Sequence, residues 1–136
     1  MNFEVLHIVP KDDSPEILLN PKGLIRIDGR GIIGHNYETS EKILNWIHEY
    51  LKNPAELTTV IVALEYINSL STMILVSILK EISRVVHCNK QFFVHWCYED
   101  EDEDILERGE FISSTLNIPI DFIRTKDVKH CCKSII

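Results

Sequence analysis

Positive charge is scarce in this sequence: 14 Lys and Arg stand against 21 Asp and Glu, a net charge of −7 with His neutral. A surface of that sign repels phosphate backbones and anionic lipid, which argues against nucleic acid and membrane as partners. Long apolar runs are missing too. No window reaches the roughly 18–20 apolar residues of a membrane span, and Met1 to Pro10 has no basic stretch leading into an apolar one, so it does not read as a secretory signal. The expected location is the cytoplasm.

Cysteine is sparse, at positions 88, 97, 131 and 132 only, with no CxxC pair. Buried or reduced thiols are expected rather than a disulfide framework. His87 beside Cys88, His95 two before Cys97 and His130 beside Cys131 invite a zinc reading. Adjacent strand residues point to opposite faces and chelate poorly, so no metal is expected. Cys132 stands one place too early for a prenylation box, and the Cys131-Cys132 pair reads as tail. The serines show no GxSxG elbow, while His35, His48, His87 and His95 are scattered. No enzyme and no cofactor is indicated.

What is present is an ordinary folding composition, 45% hydrophobic and 26% charged over 136 residues. That is one domain, spanning 1–136, large enough to bury roughly two-thirds of its unfolded surface. Its core is expected over about 17–124, with 125–136 as a tail. After the apolar run Val5 to Pro10, Ile17-Leu18-Leu19 and Leu24-Ile25-Arg26-Ile27 flank Asn20-Pro21-Lys22-Gly23, which predicts a hairpin. Thr39 or Ser40 then caps a helix with the stripe Ile43, Leu44, Ile47 and Leu51, stopped by Asn53-Pro54. Leu57 to Tyr66 is β-branched almost throughout, as in a central strand covered on both faces.

The segment from about Leu70 to Val86 lacks Gly and Pro. It predicts a largely buried helix whose face holds Leu75, Leu79, Ile82 and Val86, widened by Met73, Ile74, Ile78 and Val85. Phe92 to Tyr98 is a further strand, the acids Glu99 to Asp104 open a helix to about Leu116, and Pro119 to Arg124 is a last strand. This order predicts an α/β fold: a mixed, largely parallel sheet with an N-terminal hairpin and about three helices.

Three constellations stand out. Gly29 to Gly34 matches GxGxxG after a strand, the pattern of a nucleotide or small-ligand site. The helical period starts too late for the dinucleotide fingerprint, so a glycine turn explains it better. The acid run begins like a calcium loop, but Ile105 and Phe111 occupy the places of its Gly and Glu. It remains a helix start or, as an alternative, a constitutive acidic scaffold for a basic partner. Tyr66-Ile67-Asn68-Ser69-Leu70-Ser71 hands a buried strand to the longest helix, at the carboxyl end of a strand where α/β sheets place function. Asn68, Ser69 and Ser71 are all good caps, and a hydroxyl there is also a favourable place for a phosphate.

An ordered set of segments then resembles the SiaC family of bacterial regulatory phosphoproteins over roughly Leu18 to Ile123. It comprises Gly29-Arg30, Trp46 with Tyr50-Leu51, Leu64-x-Tyr66-Ile67-Asn68-Ser69-x-Ser71, Trp96-Cys97-Tyr98, the stretch Asp102 to Glu110, and Ile118-Pro119. The resemblance implies a STAS-like fold and reversible phosphorylation at Ser69 within a partner-switching pathway. It implies a protein kinase, a PP2C-type phosphatase and an output partner such as a diguanylate cyclase, tied to biofilm regulation. Tyr66, Asn68, Leu70 and Ser71 would flank the phosphosite. Gly29, Arg30, His35, Asp102 and Asp104 would contribute to the partner face. The sequence departs from the family at Ser69-Leu70-Ser71, where Thr-Ser-Ser is usual, at Met73 for a frequent Lys, and at Ile33-Gly34-His35 for Pro-Glu-Asn.

Overall fold

The alternating apolar residues of the first thirty positions become three antiparallel strands in a computed structural model, which describes residues 4–10, 14–30 and 37–131. They are β1 (Leu6–Ile8), β2 (Glu16–Asn20) and β3 (Leu24–Gly29). Ile17 pairs with Ile27 and Leu19 with Ile25, and all four are buried on one face. The chain continues through α1 (Tyr37–Tyr50), β4 (Leu57–Leu64), α2 (Ser69–Ile82), β5 (Gln91–Glu99), α3 (Glu103–Leu116) and β6 (Asp121–Thr125).

Strands stand in the sheet in chain order, with β3 to β6 mutually parallel. Three crossovers that advance the same way with the usual right-handed sense put every helix on the same face. The main core lies between that face and the helices, where Val60, Val62 and Trp96 meet Ile43, Ile47, Leu75 and Ile112. The expected mixed sheet with its hairpin and three helices is the one that forms.

Motif aromatics hold the layers together. Trp46 donates its indole N–H to the Glu4 carbonyl at 2.9 Å, tying α1 to the chain ahead of β1. The Tyr50 hydroxyl meets Thr58 Oγ1 at 2.7 Å and accepts from the Ala55 N–H at 3.2 Å, fastening the end of α1 to β4.

Several boundaries differ from expectation. Helix α1 begins at Tyr37, so Thr39 and Ser40 lie inside its first turn. Helix α2 ends at Ile82 and tightens into a 3-10 helix, Ser83–Cys88. The tighter winding carries Val85, expected only to widen the buried face, fully into the core and leaves Val86, expected on that face, outside. Of the six acids, only Glu103 and Asp104 are helical; Glu99 ends β5 and Asp102 is the cap of α3.

The face opposite the helices carries a smaller cluster, in which Val128 and Cys131 cover Ile61, Ala63 and Cys97. Here the expectation of reduced thiols fails for one pair: Cys97 and Cys131 are joined in a disulfide, their Cα atoms 6.5 Å apart. The pair is separated by 34 positions and meets only because the chain after β6 turns back across the sheet, which no local spacing reveals. Cys88 is free and exposed, and Cys132 lies outside the described residues. On the same face Arg26 lies 3.2 Å from Glu16 and 3.5 Å from Asp28. Burial pushes the Asp28 carboxyl above the usual range, against the pull of Arg26.

Candidate functional site at the start of the second helix

Strand β4 delivers the chain to α2 through Ile67, whose buried side chain anchors the turn. Asn68 has extended backbone and caps the helix, its side-chain oxygen accepting from the Ser71 N–H at 2.8 Å. Its carbonyl accepts from the Thr72 N–H at 2.9 Å and from the Thr72 hydroxyl at 2.8 Å. Three bonds on one residue fix the first turn. Ser71 and Thr72 are buried, whereas Ser69 is exposed at the first helical position.

The neighbouring wall is α3. Asp102 caps it by accepting from the Ile105 N–H at 3.1 Å. The helix lies close to the sheet because Gly109 has no side chain: a Cβ there would sit 2.7 Å from the Trp96 indole nitrogen. That same indole donates to the Ile105 carbonyl at 2.9 Å. So seated, α3 directs Arg108 toward α2. Its Nη1 donates to Thr72 Oγ1 at 3.2 Å and stands 3.5 Å from Ser69 Oγ, while its Nε lies 3.7 Å from Asp104.

Between the helices runs an open groove of about 460 Å³, walled by Ser69, Thr72, Met73, Glu107, Arg108 and Phe111, with Asp104 at its edge. Two large side chains of its wall are exposed to an unusual degree, Met73 57% and Phe111 51%, as are Tyr66 51% and Leu70 49%, which lie near Ser69 along the chain. The groove therefore offers apolar contacts, the exposed Ser69 hydroxyl beside the buried Thr72, two carboxylates and a single guanidinium. Met73, expected to widen the buried stripe of α2, belongs to this outer face instead.

Candidate residues that stand far apart along the chain gather beyond one end of the parallel strands. Gly29, with φ of +113°, ends β3 beside Leu64, and its carbonyl accepts from the Glu65 N–H at 2.8 Å. Arg30 is exposed after it, and Asp102 and Asp104 follow β5. All therefore lie at or beyond the carboxyl ends of their strands. His35 and the rest of the glycine turn after Arg30 lie outside the described residues. His95, weighed as a zinc ligand, stands 3.3 Å from the Asp121 carboxylate. Sequence reasoning missed Thr72, Glu107, Arg108 and Phe111 as site residues. Arg108 lies within the stretch Asp102 to Glu110 that carries part of the family resemblance, but its approach to Ser69 spans 39 positions and has no local signature.

Three solved structures share the fold. The SiaC chain in the crystal structure of diguanylate cyclase SiaD with its activator SiaC, from Pseudomonas aeruginosa, superposes with a TM-score of 0.78 at 19% identity. That match covers 88% of this chain and 99% of the other. A further structure of SiaC from Pseudomonas aeruginosa gives 0.77 at 17% identity, covering 90% and 100%. The apo-SiaC crystal structure from the same organism gives 0.76 at 18% identity, covering 89% and 99%. No curated protein sequence matches. The family profile described as SiaC family regulatory phosphoprotein matches residues 8–125, which takes in every strand from β2 to β6 and all three helices. On that match, the chain belongs to the SiaC family of regulatory phosphoproteins.

Proposed function

We propose that this chain is a non-enzymatic, cytoplasmic switch of STAS-like fold, turned by reversible phosphorylation of Ser69. A protein kinase transfers the terminal phosphoryl group of ATP to Ser69 Oγ, releasing ADP and the hydroxyl proton. A PP2C-type phosphatase adds water to return the hydroxyl and inorganic phosphate. The unmodified form engages a signalling partner of the diguanylate cyclase kind, as the relative described as an activator is seen to do.

The observation that carries this reading is the exposed Ser69 hydroxyl among Tyr66, Leu70, Met73 and Phe111. Exposed side chains of that size suit burial by a partner. A phosphate adds about −1.5 to −2 charges in their midst and must be desolvated before the same surface is covered. Gly29, Arg30, Asp102 and Asp104, with His35, would then form the rim of the partner face.

The test is phosphopeptide mapping of protein from its own cells, joined to binding measurements with the cognate cyclase. Phosphate is expected on Ser69. Ser69→Ala should bind as the unmodified protein does, and the phosphorylated form at least about tenfold more weakly, about 1.4 kcal/mol. Binding that ignores the phosphate but collapses with added salt would overturn the switch in favour of a constitutive acidic scaffold.

A further inference from the structure

Among the described residues that line the groove beside Ser69, one is a cation, and its geometry gives it a task. We propose that Arg108 is the internal receptor for the phosphate on Ser69, exchanging its contact with Asp104 for the new anion and clasping α2 to α3. This rests on Ser69 being the modified residue.

Arg108 already points at the acceptor, with Nη1 standing 3.5 Å from Ser69 Oγ and donating to the neighbouring Thr72 hydroxyl at 3.2 Å. Terminal phosphate oxygens on that Oγ come within reach of a planar fork of N–H donors, the group best matched to them. The contact to be given up is weak: Nε lies 3.7 Å from Asp104, whose side chain is 66% exposed against 30% for Arg108. Exposed pairs of this kind contribute little. The next residue, Gly109, packs against Trp96 and holds this turn of α3 on the sheet, so the Arg108 guanidinium needs only a side-chain rotation.

The exchange has a cost that makes the arginine necessary. Asp104 and Glu107 stand on the same groove as Ser69, and both oppose a further anion. Without Arg108 the phosphate would face two carboxylates and no cation among the lining residues. With it, the phosphate is held within the molecule, and the released Asp104 adds to the negative rim. Modification then does two things to a partner: it places a dianion on the apolar surface and removes the groove's cation from use.

The test installs phosphoserine at position 69 during synthesis of the full chain, so that no kinase is needed, with incorporation verified by intact mass. Phosphorus NMR then follows the second ionisation of the phosphate in the parent, Arg108→Lys and Arg108→Gln backgrounds. The pKa should be lowest in the parent, intermediate with Lys, and higher with Gln by about half a unit or more, the sign expected when a cation is lost and two carboxylates remain. A merely structural arginine would not order the three in this way. Equal values in the parent and R108Q overturn the proposal.

Should R108Q fail to fold, the parent decides with R108K as the reference for assignment. One arginine side-chain N–H resonance, assigned by its loss in R108K, should shift as the phosphate loses its second proton, and its indifference overturns the clasp. Absence of phosphate on Ser69 in cells would sink the proposed switch without touching this result, and the converse also holds.

Discussion

At residue 109 even a methyl group is too large. A Cβ would lie 2.7 Å from the Trp96 indole nitrogen and 2.8 Å from the Phe122 ring, both in the packed layer under α3. Gly109→Ala should therefore lower stability by about 1–3 kcal/mol, read from urea midpoints, as overpacking does. Asn68 shows the opposite case, in which the side chain supplies the local structure. Asn68→Ala removes the bond from the Ser71 N–H and should cost about 1 kcal/mol, while Asn68→Asp should keep most of it. Asn68 as a cap was readable, because caps follow from residue type and place. The Gly109–Trp96 contact and the reach of Arg108 were not, since each depends on how far one layer stands from another.

Asp28 adds a pH term at the same scale. Burial chiefly, then Glu16, raises its pKa, while Arg26 lowers it, and the net direction is upward from 3.8. The folded chain thus takes up this proton at a higher pH than the unfolded one. Its contribution to stability is complete below the unfolded value and is lost as pH rises through the raised folded value. Asp28→Asn should remove that slope from the urea midpoint measured across this window, and an unchanged profile would show that Asp28 does not titrate there.

Among the elements, α2 is the most instructive. A 3.6-residue period carried from Leu75 through Ile82 points to Val86, yet the helix tightens after Ile82 and buries Val85. The Ser83 hydroxyl donates to the Lys80 carbonyl at 2.8 Å where the winding changes. Val85→Ala should cost about 1–3 kcal/mol, and Val86→Ala should stay within about 0.5 kcal/mol. Comparable costs at both positions would mean the helix runs on unbroken. Asn89, with φ of 62°, closes this element, and Asn117, with φ of 54°, closes α3, both in the left-handed region that asparagine tolerates. The strands were more legible than the helix ends, because alternation and β-branching are spread over a whole element whereas an end is decided by one or two bonds.

For the molecule as a whole, the Cys97–Cys131 link ties the chain after β6 to the face that the helices leave open. Closing a loop of this length is worth about 3–4 kcal/mol in the chain-entropy account. Reductant should lower the parent's urea midpoint accordingly, whereas Cys131→Ala should start lower and not respond. A parent equally stable with and without reductant would show that the link contributes nothing in solution. The layering was legible from alternating strand and helix patterns. The link was not, because it joins segments that approach only after the sheet exists.

The coincidence of strand order with chain order bears on how the protein is made. A ribosome releases the strands in the sequence in which they stand, so each after the first finds its neighbour already present and adds to a single advancing edge. Among the described strands β1 alone waits for a later neighbour, and none must be threaded between two others. Ser69 follows β4, and Arg108 comes only after β5, so a nascent chain displays the serine before the arginine that faces it has been synthesised.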